Sequence, residues 1–191
     1  MKHIRLEKKG LRGLAIAESF RETNVTSKLA GVIMRRDFVL DGFVFGHATI
    51  GGDDSTESIL SMYGKLNRQD ISFMLISGLI ISMYNIVDIK RLSKECKIPV
   101  IGVTYEESKG LDDAIMHHFP NSYETKIKQY QNLGARIEIR LHTGYDLFVR
   151  VEGCESNEAK RLLDAFTLQG SMPEPLRIAQ LLARAELDLA D

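Results

Sequence analysis

Three short apolar stretches open the chain. Leu11 to Phe20 holds Leu14, Ala15, Ile16 and Ala17 in succession and reaches Glu18, the pattern of a strand that ends in a charge at a sheet's rim. Arg21 to Ser27 is polar and turn-like, and Leu29 to Met34 is a second apolar strand. Phe38 to Ile50 alternates around Gly42 and Gly46, which predicts a third strand with a bend or bulge. The three predict an antiparallel meander. Gly51-Gly52-Asp53-Asp54-Ser55 follows, with Asp54 or Ser55 placed to cap a helix whose apolar stripe is Ile59, Leu60, Met62, Tyr63 and Leu66.

Ile71 to Ile76 is a nearly continuous apolar run, the mark of a strand buried on both faces, and Ser77-Gly78 breaks it. A helix is predicted over 87–96, a buried strand over 99–103, and helices over 111–119 and 123–133. A strand pair is predicted over 135–141 and 146–151, and closing helices over 157–168 and 173–189. Pro173 or Pro175 fits the first turn of the last helix, where a missing N–H costs nothing. Three antiparallel strands followed by βαβ units and flanking helices is the order of an α/β, ribonuclease H-like mixed sheet, in one domain over 1–191.

Composition adds limits rather than direction. Net charge is −1, so no global basic field announces nucleic acid. The local basic clusters Arg35-Arg36, Lys65/Arg68, Lys90/Arg91 and Lys126/Lys128 are candidate contacts or plain solvated faces. Cys96 and Cys154 lie far apart with no zinc spacing, which fits a reduced, cytoplasmic setting. Met1 to Arg5 is charged and lacks an apolar signal core, and the run from Ile71 to Met83 is too short to span a membrane.

Ribonuclease H-like nucleases hold two divalent metals on carboxylates that converge from different strands. Glu18, at a strand end, is the first candidate ligand. Asp53 and Asp54 are candidate ligands or helix caps, and Asp88 with Asn85 is a candidate site pair or another helix start. Tyr84 can stack on a base or pack in the core beside Met83 and Ile86. His117-His118, His47 and His142 read as surface residues. There is no P-loop, GxGxxG or GxSxG motif.

Longer phrases carry a resemblance. Pro173-Glu174-Pro175-Leu176-Arg177 resembles the Pro-Glu-Pro-x-Arg phrase near the end of endonuclease V proteins. Gly13-Leu14-Ala15-Ile16-Ala17-Glu18, Gly52-Asp53-Asp54-Ser55-Thr56, Tyr84-Asn85-Ile86-Val87-Asp88 and Pro99-Val100-Ile101-Gly102-Val103 resemble an archaeal family linked to a deoxyuridine-specific endonuclease, endonuclease dU, itself similar to endonuclease V. The resemblance implies an endonuclease V-like fold and hydrolysis of DNA containing deaminated bases with Mg (or Mn). It implies Glu18, Asp53 and Asp54 as metal ligands and Glu18, Asp54 and Asp88 as catalytic. Ser77, Asn85, Tyr84 and Arg177 are implied in substrate binding. The departures are specific. Ala17-Glu18 stands where several members of the wider family carry an Asp-Asp pair, and Ser77-Gly78 stands where endonuclease V has Asp-Gly. Thr104-Tyr105 follows Val103 without the expected lysine, and Cys154 follows Gly153 in place of histidine. They leave a second expectation open: a binding domain for nucleic acid or a nucleotide that does not cut.

Overall fold

The computed structural model describes residues 6–107 and 110–189. The charged stretch 1–5 lies outside them. The meander forms as the alternation predicts: β1 (Arg12–Ser19), β2 (Thr26–Arg35) and β3 (Leu40–Thr49) pair antiparallel. The expected bulge is at Asp41. Ile33 faces Gly42 while Met34 faces Leu40, so Asp41 is the extra residue. Its carboxylate turns to Arg12 and Arg68.

Helix α1 (Ser55–Leu66) leads to β4 (Ile71–Ser77), which lies parallel to β1. Then come a short hairpin, β5 (Ile80–Ile81) with β6 (Asn85–Ile86), and helix α2 (Ile89–Cys96). Strand β7 (Val100–Thr104) lies parallel to β4. Helices α3 (Asp112–His118) and α4 (Tyr123–Asn132) precede β8 (Ile137–Arg140) and β9 (Asp146–Glu152), and α5 (Ser156–Phe166) and α6 (Glu174–Leu189) close the fold. Pro175 sits in the first turn of α6, as its fixed φ favours.

The seven main strands run in the order β3-β2-β1-β4-β7-β9-β8. Residues of β1 and β4 alternate between two cores. Ala15, Ala17, Phe73 and Leu75 pack with Leu163, Phe166, Leu176 and Ala179 on one face. Leu14, Ile16, Met74 and Ile76 pack with Ile59, Met62 and Leu92 on the other. Burial on both faces explains why the central strands read as unbroken apolar runs. Parallel β1, β4 and β7 all end on one edge, and the β5–β6 hairpin folds across it. In such sheets ligands bind beyond the carboxyl ends of the strands.

Candidate functional site

The strand ends and the hairpin enclose a cleft of about 600 Å³, lined by Glu18 from β1, Ser77 from β4, Thr104 from β7 and Ser82 to Tyr84 from the hairpin tip. Gly102 lets Leu79 of the cleft pack directly on β7: a Cβ there would meet the Leu79 side chain at 2.4 Å. The hairpin tip is unusual. Ser82, Met83 and Tyr84 all take positive φ, 46°, 55° and 64°. Three consecutive non-glycine residues in this region cost about 1–2 kcal/mol each, so the surroundings must over-determine them.

Those restraints come from the candidate residues. The Ser82 amide and hydroxyl both donate to the Glu18 carboxylate, at 2.8 and 2.6 Å. Ser27 and Ser82 hydroxyls meet at 2.6 Å, and the Gly51 amide donates to the Ser82 carbonyl at 2.7 Å. Burial pushes the Glu18 carboxyl up from its ordinary value, and the Ser82 and Ser27 hydrogen bonds only partly oppose this.

Asp54 and Asn85 form a second unit. Asp54 occupies the N-cap position of α1, but its side chain makes no cap bond. Fully buried Asn85 caps the helix instead: its Oδ1 accepts from the Ser55 amide at 3.0 Å, and its Nδ2 donates to the Thr49 carbonyl and to Asp54 Oδ1. The Thr49 hydroxyl and amide also donate to Asp54. Burial alone would raise the Asp54 carboxyl, but these donors outweigh it and hold it below the ordinary value. The cap expected of Asp54 is therefore supplied across 30 residues of chain, by a residue expected to start the next helix. That next helix is capped by Asp88, which accepts from the Arg91 amide at 3.0 Å.

Lys126 corrects the reading of its cluster as a solvated face. It is 3% exposed, and its ammonium donates to the Gly52 carbonyl, the Tyr84 carbonyl and Asp53 Oδ1, all within 3.1 Å. It also lies 4.7 Å from the Phe119 ring centre. The signal was present: Lys126, Tyr130 and Leu133 recur at helical spacing. Tyr84 lies against His118 and Phe119, at 5.4 and 5.7 Å between ring centres. A second basic residue escaped notice because it lies inside an apolar strand. Arg150 of β9 lines the cleft while only 8% exposed.

The predicted residues thus fall into groups. Glu18, Ser77 and Tyr84 share the cleft. Arg177, ion-paired to Glu174 at 2.6 Å, lies along α6 in a groove that also contains Glu18 and Phe20. Asp53 and Asp88 line a separate recess of about 380 Å³. Glu18 and Asp54 both hold the hairpin, one through Ser82 and the other through Asn85. Among the described residues no three of His, Cys, Asp and Glu gather as a metal cluster. Each expected ligand is already engaged by protein donors: Glu18 by Ser82, Asp54 by Thr49 and Asn85, Asp53 by Lys126. So arranged, they do not fit a carboxylate-held metal pair. Nor does any helix among the described residues have the length and apolarity to cross a membrane.

Known proteins share this architecture. A crystal structure of an Archaeoglobus fulgidus protein of unknown function overlays with a TM-score of 0.80 at 29% identity, covering 93% of this chain and 98% of that one. Endonuclease V of Ciona intestinalis, crystallised with a 24-mer DNA containing an inosine, overlays with a TM-score of 0.64 at 12% identity, covering 95% and 87%. At that identity the likeness is one of fold, and it agrees with the expected endonuclease V-like sheet. A UPF0215 protein of Pyrobaculum aerophilum is 34% identical over 172 residues, 90% of this chain and 92% of its own. The endonuclease dU family model matches residues 9–186. Family and fold together support a nuclease. With nearly the whole chain matched and the strand-end cleft in the place the fold dictates, this protein belongs to the endonuclease dU family.

Proposed function

We propose that the chain is an endonuclease acting on DNA with deaminated bases such as deoxyuridine, and that the strand-end cleft receives the base. One observation carries this reading: the cleft is sized for a base, bears Glu18 on its wall and is lined by Phe20, Tyr84 and Tyr105. A base swung out of a duplex is held by stacking and by hydrogen bonds to its pairing edge. Deamination replaces an exocyclic amine with a carbonyl, so a selective site must offer a donor there. Burial favours the protonated Glu18 carboxyl, which is such a donor. In this reading Tyr84 stacks on the base, Ser77 orients it, and Arg177 meets the strand's phosphates from the adjoining groove. Asp54 and Asn85 fix the hairpin that forms one wall.

The test uses matched duplexes with uracil, hypoxanthine or neither, incubated with Mg²⁺, Mn²⁺ or EDTA. Nicking of only the modified duplexes, lost in Glu18→Ala and kept in Glu18→Gln, whose amide still donates, is the expected result. Undiminished nicking by Glu18→Ala would rule out this site.

A second reading, binding without cutting, is favoured by the carboxylates that already have protein partners. It expects salt-sensitive, uracil-dependent binding and no nicking with any metal.

A further inference from the structure

We propose that Arg150 forms a phosphate-binding subsite on the wall of the cleft. The proposal rests on the reading that a nucleotide enters there. Arg150 is 8% exposed, and its strand neighbour is Gly102. Its Nε donates to the Gly134 carbonyl at 2.8 Å, and its guanidinium lies 5.5 Å from the centre of the Tyr130 ring. No carboxylate pairs with it among the described residues. A buried cation without a counter-ion is costly, and the cost falls when an anion arrives.

Two neighbours point the same way. Arg136, stacked over Phe148 at 5.3 Å, brings a second positive charge to the cleft wall; burial first, and that charge with it, hold the Arg150 guanidinium below its ordinary value against an opposing Tyr130 hydrogen bond. The Tyr105 hydroxyl is buried beside the cleft, with Ser77 near it but no well-formed hydrogen bond among the described residues. Leu79, Ile80 and Tyr84 add apolar and aromatic surface to the same cleft. An aromatic, apolar lining that also carries a forked cation matches a nucleotide, a flat base joined to a phosphate. A free carboxylate ligand would use the cation but leave the aromatic surface idle.

The experiment is calorimetric titration at low salt with inorganic phosphate, dUMP, deoxyuridine and a uracil-containing pentanucleotide. It uses wild type, Arg150→Met and Arg150→Lys. Wild type is expected to bind dUMP at least about tenfold more tightly than deoxyuridine, with inorganic phosphate competing. Arg150→Met should abolish that difference while melting no lower than wild type, because it removes an unpaired buried charge. Arg150→Lys, which keeps the charge but loses the fork, should fall between. If the phosphate is read only within a strand, the pentanucleotide alone will show the Arg150 dependence. Equal affinity of wild type and both variants for dUMP and the pentanucleotide overturns the subsite. Should Arg150→Met not fold, wild-type affinity in Arg150→Lys overturns it. Phosphate dependence without binding of uracil-containing duplexes would sink the proposed function and leave the subsite standing. Uracil-specific duplex binding indifferent to Arg150 would do the reverse.

Discussion

Asp54 and Glu18 sit on two sides of one hairpin and differ in how their charge is met. Asp54 accepts from the Thr49 amide, the Thr49 hydroxyl and the Asn85 amide, and these donors together outweigh burial. Glu18 accepts mainly from one residue, Ser82, and there burial prevails. Nearby Lys126 is likewise matched, by two carbonyls and Asp53. Across the cleft, Arg150 is not matched by any carboxylate among the described residues. The Asp54 corner therefore behaves as scaffold, with its charged and amide groups met from within and the buried Ser55 hydroxyl as the exception. The cleft holds polar groups that the protein itself meets less fully. Unmet polarity, rather than acidity as such, separates site from support in this fold.

The largest expected effect breaks the matched corner. Asn85→Ala removes hydrogen bonds to the Ser55 amide, the Thr49 carbonyl and Asp54 at a fully buried position. It should cost about 3 kcal/mol, read as a lower urea midpoint. Lys126→Met comes next, at about 2 kcal/mol, because the Gly52 and Tyr84 carbonyls lose their donor. Asp53, 59% exposed, can be rehydrated and adds little. If Lys126→Met proved neutral, the lysine would not be holding the hairpin tip.

Asp54→Asn should cost about 1 kcal/mol, since the site is partly open to water. Its pH dependence gives the sharper reading. A carboxyl held below its ordinary value adds stability that is present above that value and fades as pH falls through the folded one. The gap between wild type and Asp54→Asn should thus be full at neutral pH and close in acid, as followed by thermal melting.

The regular elements were legible because their causes are local. The apolar run of β4, the alternation of β3 and the stripe of α1 each lie within one segment. The hairpin was not legible. Its strands are two residues each, and its tip takes left-handed angles that Ser82, Met83 and Tyr84 do not favour alone. What holds it is remote: Glu18 lies 64 residues from Ser82, and Lys126 lies 42 residues from Tyr84. Asp54 shows the limit of local reasoning. It occupies the cap position by sequence, yet Asn85 makes the cap bond. Lys126 and Arg150 look like surface charges in composition, and only the packing around them removes them from water.

The smallest effect has the opposite sign. Burial raises the Glu18 carboxyl above its ordinary value of 4.5, with the Ser82 hydrogen bonds opposing. A group raised in the folded state favours folding most when it is protonated. That contribution is complete below the ordinary value and is lost as pH climbs through the folded one. Above its folded value the ionised Glu18 is therefore a burden on the fold. Glu18→Gln is neutral at every pH and retains an oxygen that can accept from the Ser82 amide. The variant should match wild type in acid and melt slightly higher at about pH 8, by less than about 1 kcal/mol. A melting difference that stays flat with pH would make Glu18 a matched group like Asp54, and the contrast between the two corners would be lost. A difference that grows with pH would mean that Glu18 is retained in the cleft at a cost to stability, as expected of a residue that serves a ligand rather than the fold.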